Sequence, residues 1–482
     1  MKEKRKEPSL FQALIPIIIL IILLALNVYF YKDDTLSGAS QMALLFAASV
    51  AGIIAWRNKI GWKTISTKIM ASIGTAMPSI LILLLIGSLA GTWLISGVIP
   101  TLIYYGIQIL HPSIFLFAAV VISAIVSVAT GSSWSTIATI GIALLGIGNA
   151  LNIRVEIVAG AIISGAYFGD KISPLSDTTN LAPAMTGTDL FTHIRYMLYT
   201  TIPSMIITLL IFLGIGLFSV NPVEKVQIGQ VMNTINKTFH VNPLLLIVPI
   251  ALITSIIKKV PPIPSLLIGT LLGGIFAIIF QPGIVNEVAN IPGNYLQSSY
   301  LAVMQSMFGK VQIVTDNEKI NNLFSTNGMA GMLDTVWLIL TAMVFGGVME
   351  AGGLLRRITH SIINLANSTG SLVSSTVATC ILFNATASDQ YLSIVVPGRM
   401  FSEVYKKRGF KPELLSRTLE DGGTVTSVLV PWNTGGATQA RVLGVSTWAY
   451  FPYCFFNIIS PFMSVLFAYL NIRIRRTEKE QE

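Results

Sequence analysis

Charge is what this chain of 482 residues has least of: lysine, arginine, aspartate and glutamate make up 11% of it, where a soluble globular protein carries about 25%. Cysteine is nearly absent, and Cys380 and Cys454 both lie in apolar stretches, where they read as buried free thiols and leave the redox compartment undecided. The four histidines show no metal-ligand spacing. No G-x-x-x-x-G-K-[ST] stretch occurs, so ATP-driven transport has no support within the chain. The net charge of +9 forms neither a stripe nor an aromatic-interleaved patch, which argues against nucleic acid as a partner. No nucleophile–base pair or metal pair stands at membrane depth, as an intramembrane enzyme requires.

What the chain has instead is apolar sequence, 53% of the total. Apolar runs fall at about 10–31, 39–56, 77–96, 113–129, 136–148, 157–173, 196–219, 243–257, 264–280, 334–351, 371–384, 391–401, 418–431 and 447–470. Many are long enough to cross a hydrocarbon core of about 30 Å. The expectation is an all-α polytopic membrane protein, multi-pass in the cell membrane with lipid as its surroundings. The first run follows "MKEKRK" and lacks a small-residue cleavage pattern, so it reads as a retained transmembrane helix. Basic residues gather in short loops: "MKEKRK", Arg57/Lys59/Lys63/Lys68, Lys258/Lys259, Arg356/Arg357, "YKKRGFK" at 405–411 and "RIRR" at 473–476. The positive-inside rule puts these loops, and both termini, in the cytoplasm.

The short runs come in adjacent pairs, and each pair reads either as a re-entrant hairpin or as one kinked helix. With the basic loops inside, the count closes if hairpin 113–148 enters from outside and hairpin 371–404 from inside, so their tips point at each other. A shift of 256 positions matches Gly91 with Gly347, Gly97 with Gly353, and Ala129, Thr130 and Ser132 with Ala385, Thr386 and Ser388; a shift of 257 matches Gly165 with Gly422, Pro174 with Pro431 and Gly187 with Gly444. The expected organisation is therefore two inverted-topology repeats, residues 1–220 and 242–476, joined by an extracellular linker at 221–241. Matching amphipathic pieces at 97–111 and 353–367 are expected along the membrane surface.

Polar residues interrupt the apolar sequence at four places: "TGSSWS" (130–135), "SPLSDTTN" (173–180), "TASDQ" (386–390) and "VPWNTGG" (430–436). Pro174 disfavours helix at Ser173, so the helix beginning near Glu156 should unwind there and restart, a broken helix over about 157–190; Pro431 predicts the same over about 418–440. Unwinding frees carbonyls for a cation, and the restarted half-helix presents N–H groups. Asp177, among Ser173, Ser176, Thr178 and Thr179, either caps the half-helix or binds a hard cation through oxygen. Asp389 holds the corresponding place in the second tip. Asp170 reads as a proton site or a salt-bridge partner; Lys171 neutralises an acidic site, binds a carboxylate, or pairs with Asp334 or Glu350. Trp134 and Trp432 read as packing, and Glu420 and Asp421 as acids at a helix N-terminus.

The stretch "SGAYFGDKISPLSDTTNLAPAMTGTD" (164–189) with "ATGSSWSTIATIG" (129–141) resembles the NhaC family of sodium/proton antiporters, over positions 10 to 470. The resemblance implies an elevator-type secondary transporter without cofactor, whose partners are sodium ions and protons. It implies sodium ligands among Thr130, Ser132, Ser133, Ser173 and Asp177, with Ser133, Ser173 and Asp177 foremost, and second-half counterparts at Thr386, Ser388, Asp389, Asn433 and Thr434. Asp170, Asp177 and Lys171 are the proton-coupling candidates. Some members resemble exchangers of small organic acids such as malate and lactate, which is the alternative. By analogy with elevator-type relatives, a homodimer is the expected assembly.

Overall fold

The computed structural model describes residues 7–31, 38–219, 225–291, 294–315, 321, 324–364 and 366–477. The "MKEKRK" signal and residues 221–224 of the expected linker lie outside them. The first part of the chain runs α1 (Leu10–Tyr31), α2 (Ala39–Arg57), α3 (Trp62–Ile95), α4 (Val98–Ile109), α5 (Pro112–Thr130), α6 (Ser133–Ala150), α7 (Val155–Ile172), α8 (Asp177–Thr186), α9 (Leu190–Ser219) and α10 (Lys225–Thr238). Then follow α11 (Ile247–Ile257), α12 (Pro262–Phe280), α13 (Pro282–Ala289), α14 (Tyr295–Phe308), α15 (Leu333–Ala351), α16 (Leu354–Ile363), α17 (Thr369–Thr386) and α18 (Leu392–Lys407). The last group is α19, made of Pro412–Leu419, a π-helical turn Glu420–Thr424 and Val425–Ser427, then α20 (Thr434–Leu443), α21 (Thr447–Tyr450) and α22 (Phe455–Tyr469). Among the described residues eight helices are long and apolar enough to cross a membrane, or up to ten if each of two bent pairs is one span. An all-α polytopic membrane protein is what the composition required.

The expected pairs are present as α5/α6 and α17/α18, and the expected breaks as the gaps between α7 and α8 and between α19 and α20. The pieces 97–111 and 353–367 form α4 and α16, each entered through a left-handed glycine, Gly97 (φ 78°) and Gly353 (φ 68°). Other left-handed positions recur with a separation one residue longer: Gly131 and Ser388 in the two tips, Asn152 and Gly409 after the hairpins, Gly187 and Gly444 after the half-helices. The residues capping the half-helices, Ser176 and Asn433, recur likewise. The sequence reading had no element at α13, α14 or the small hairpin pairing Val311–Gln312 with Ser325–Thr326, and the described part of the expected linker is helical in α10.

Two packing groups result. Helix α3 lies against α12 and α15, and α15 against α2; around them α5 packs on α7, and α17 on α18 and α22. The half-helices cross over: α8 packs on α18, and α20 on α6. The most extensive helix contact among the described residues is α5 on α7, where a Cβ added to Gly165 would stand 2.2 Å from the Val120 carbonyl oxygen and one added to Gly169 2.4 Å from that of Ala124. This small-x-x-x-small spacing lets the backbones approach, as in other membrane helix pairs, and the Ser127 hydroxyl donates across it to the Ala166 carbonyl at 2.6 Å.

Gly169→Leu should therefore overpack this contact and lower stability by about 1–3 kcal/mol, read as a drop in thermal midpoint of the purified protein. Gly74→Ala, inside α3 where a Cβ meets nothing within 4 Å, should not lower it. Equal midpoints for the two variants would contradict this account of the packing.

Candidate functional site

At the first tip α5 ends at Thr130, the chain reverses through Gly131 (φ 69°), and the Ser132 hydroxyl accepts from the Ser135 amide at 3.2 Å to start α6. Glycine is required at the reversal, because a Cβ there would lie 2.5 Å from the Leu175 side chain, in the break. Helix α7 ends as Pro174 dictates, with Ser173 extended (φ −78°, ψ 128°). The Ser173 hydroxyl donates to the Val128 carbonyl at 2.8 Å, tying the break to the hairpin. Thr179, one turn into α8, donates to the carbonyls of Asp170 (3.1 Å) and Lys171 (3.0 Å). Carbonyls expected to be free for a cation thus already accept a hydroxyl, since an unmet carbonyl at this depth is costly.

Asp170 is the acid at the centre. It is 5% exposed, and its Oδ2 accepts from the fully buried Ser133 hydroxyl at 2.6 Å. It makes no salt bridge among the described residues. A cavity of about 770 Å³ opens beside it, lined in the first half by Thr130, Ser132, Asp170, Ser176, Asp177 and Thr178. Gln390, the last residue of the second tip, and Tyr391 after it line the same cavity. Its other wall is α3 at Pro78 and Ser79 and the proline-rich loop before α12. Asp170 is the deep carboxylate and Asp177, exposed at the start of α8, the shallow one. Trp134 lines the cavity as well.

Lys171 points elsewhere, because successive helix residues diverge by about 100°. It is fully buried and pairs with Asp421 of α19; its Nζ also donates to the Ser460 hydroxyl at 3.0 Å. Ser460 (2.5 Å) and Thr200 (3.3 Å) donate to the same carboxylate. Two expectations are corrected here. Glu350 pairs with Lys68, not Lys171, and Asp334 lies apart. Glu420 and Asp421 are not at a helix N-terminus: α19 begins at Pro412, and both acids sit fully buried in its π-helical turn.

The second-half candidates form a separate buried cluster that does not line the cavity. Asn433 donates to the Asn384 carbonyl (3.0 Å) and side-chain oxygen (3.1 Å), the Thr434 amide to the Ser388 carbonyl (3.0 Å), and Trp432 to the Ala385 carbonyl (2.6 Å). Asp389 caps α18 through Oδ1, accepting from the Leu392 amide at 2.9 Å; its Oδ2 and the Ser388 hydroxyl have no partner among the described residues. The Thr386 hydroxyl is satisfied within its own helix at 2.6 Å. Gln390, Tyr391, Asn384 and Asp421 were missed as site residues. For Asp421 a signal existed: a lysine at membrane depth demands a buried counter-charge.

The model of the Na+/H+ antiporter family matches residues 165–472. The Na(+)/H(+) antiporter NhaC of Alkalihalophilus pseudofirmus is 36% identical over 91% of this chain and 92% of its own length. The protein of the same name in Bacillus subtilis is 37% identical over 85% and 87%, and the malate-2H(+)/Na(+)-lactate antiporter of that organism 34% identical over 97% and 96%.

The ion pair makes its own prediction. Asp421→Asn leaves Lys171 buried without a counter-charge and should destabilise the protein by about 3–5 kcal/mol, while the double variant Lys171→Met, Asp421→Asn should recover most of that. Thermal midpoints measure it, and a single variant as stable as the parent would contradict the pairing.

Proposed function

The chain belongs to the Na+/H+ antiporter family, and from that premise we infer that it is a secondary active transporter exchanging sodium for protons at the cavity beside Asp170. The observation that carries the site is the buried Asp170 carboxylate with its Ser133 donor, placed where a hairpin tip meets a helix break and a cavity reaches both tips. Sodium prefers hard oxygen ligands, by extension from calcium and magnesium sites. Asp170, Ser133, Ser176 and Asp177 are the proposed ligands, with Thr130, Ser132 and Thr178 completing the oxygen wall. The Ser173 hydroxyl, bonded to Val128, holds the break and is a ligand only if that bond opens. The cluster around Asp389 supports the second tip.

Exchange then needs no wire between separate sites. The carboxylates bind either sodium or protons, and the empty, charged site is the form that cannot cross. A charge at membrane depth costs at least about 2.5 kcal/mol, so an unloaded site faces a barrier and leak is suppressed. The left-handed turns and caps recurring at nearly the same spacing support two inverted-topology repeats, and inverted repeats with broken helices are a recurrent transporter construction. An elevator motion of the hairpins and broken helices against α2, α3, α12 and α15 is the corresponding movement, with termini in the cytoplasm by the charge of the short loops.

The organic-acid alternative is less well supported. It needs a cation for the carboxylate, and Lys171 is held by Asp421 away from the cavity; the basic residue lining the cavity among the described residues is Lys259, on its loop wall.

The test is flux in proteoliposomes containing no organic solute. Sodium efflux should drive proton uptake in the parent. Asp170→Asn keeps shape but removes charge and should abolish exchange in a folded protein, whereas Asp177→Asn should weaken apparent sodium affinity about 10-fold or more, the loss of one charged contact. Parent-like exchange by Asp170→Asn sinks the site, and strict dependence on an added acid would favour the alternative.

A further inference from the structure

A second cavity of about 600 Å³ lies away from Asp170, between the C-terminal end of α3, the start of α15 and the end of α20. Two charged side chains line it: Arg441 in the last turn of α20 and Asp334 in the first turn of α15. Neither side chain has a hydrogen bond or ion pair among the described residues; only the Asp334 backbone carbonyl is engaged, by Gln41 at 3.3 Å. Arg441 is half-buried, its guanidinium held against the loop at Gly331, where an added Cβ would stand 3.3 Å away. A guanidinium cannot shed its proton, so the half-buried Arg441 stays charged in the cavity lining, which the exposed Asp334 shares.

An occupant that engages both side chains has to carry both charges. A carboxylate matches the planar fork of Arg441 through two parallel hydrogen bonds, and an ammonium meets Asp334. The rest of the wall is mixed: Leu94, Ile103 and Leu145 offer an aliphatic surface, Asn327, Thr335 and Ser446 a polar one, and no third charged residue is present in the lining, which suits an aliphatic side chain and disfavours a third charge. We propose that this cavity binds a small aliphatic α-amino acid in its zwitterionic form, carboxylate on Arg441 and ammonium on Asp334. The site is distinct from the ion site and stands whether or not that site is correctly assigned.

Calorimetric titration of the purified full chain with leucine, 4-methylpentanoate and 3-methylbutylamine tests it, since the two analogues keep the side chain and one charge each. Leucine should bind, and each analogue should bind at least about tenfold more weakly, the loss of one charged contact. Arg441→Gln and Asp334→Asn should each weaken leucine binding about tenfold or more and leave sodium/proton exchange intact. The comparison of analogues on the parent protein stands even if a variant misfolds. Absence of leucine binding at millimolar concentration, equal binding of 4-methylpentanoate, or leucine binding indifferent to both substitutions would overturn the proposal.

Discussion

A peptide chain that stops being helical inside a bilayer has no water to take its N–H and C=O groups, so the protein has to supply every partner itself. The breaks at 173–176 and 428–433 are both closed in this way, the first by α5 and the restarted α8, the second by α17. Ser173 reaches the carbonyl of Val128, Thr179 covers the carbonyls where α7 ends, and Asn384 with Asn433 clasps the second break. Much of the polar sequence that looks like ion-binding chemistry is therefore the closure of interrupted backbone. What remains after that accounting is Asp170, Ser133 and the oxygens facing the cavity, together with Asp389 Oδ2 and the Ser388 hydroxyl in the second tip.

The same economy governs charge. Asp170 and Lys171 are neighbours that face different surroundings, and Lys171 is neutralised across the halves by Asp421, held by Ser460 and Thr200. A lysine spent on that pair is not available to Asp170. Among the described residues the carboxylate at the cavity has a hydroxyl donor and no ion-pair partner, the condition that the proposed binding of sodium or a proton requires. The ion pair joins α7 to α19 and keeps Lys171 away from the cavity.

The apolar runs, paired short helices and proline-directed breaks were legible because each is written locally: hydrophobic length, a proline, a polar interruption. The left-handed turns at Gly97, Gly187, Gly353 and Gly444 were marked by glycine, but Ser388 takes the same conformation (φ 58°) without any signature in its residue type. Elements between 282 and 308 were missed because their membrane role depends on packing against α3 and α12, not on their own hydropathy. The partner of Lys171 was missed for a related reason. Asp421 lies 250 positions away, in a π-helical turn, and local reading assigned it to a helix start. Gln390 stood at the end of a quoted tip, yet only the approach of the two hairpins shows that it shares the cavity with Asp170.

The central claim is that sodium and protons compete for one group of carboxylates. Apparent sodium affinity measured from pH 6 to 9 tests it most directly. If one proton competes with each sodium ion, affinity should weaken as pH falls, approaching about tenfold per pH unit below the pKa of the controlling carboxyl. A sodium affinity that does not change with pH would contradict the shared site and require a separate path for the proton.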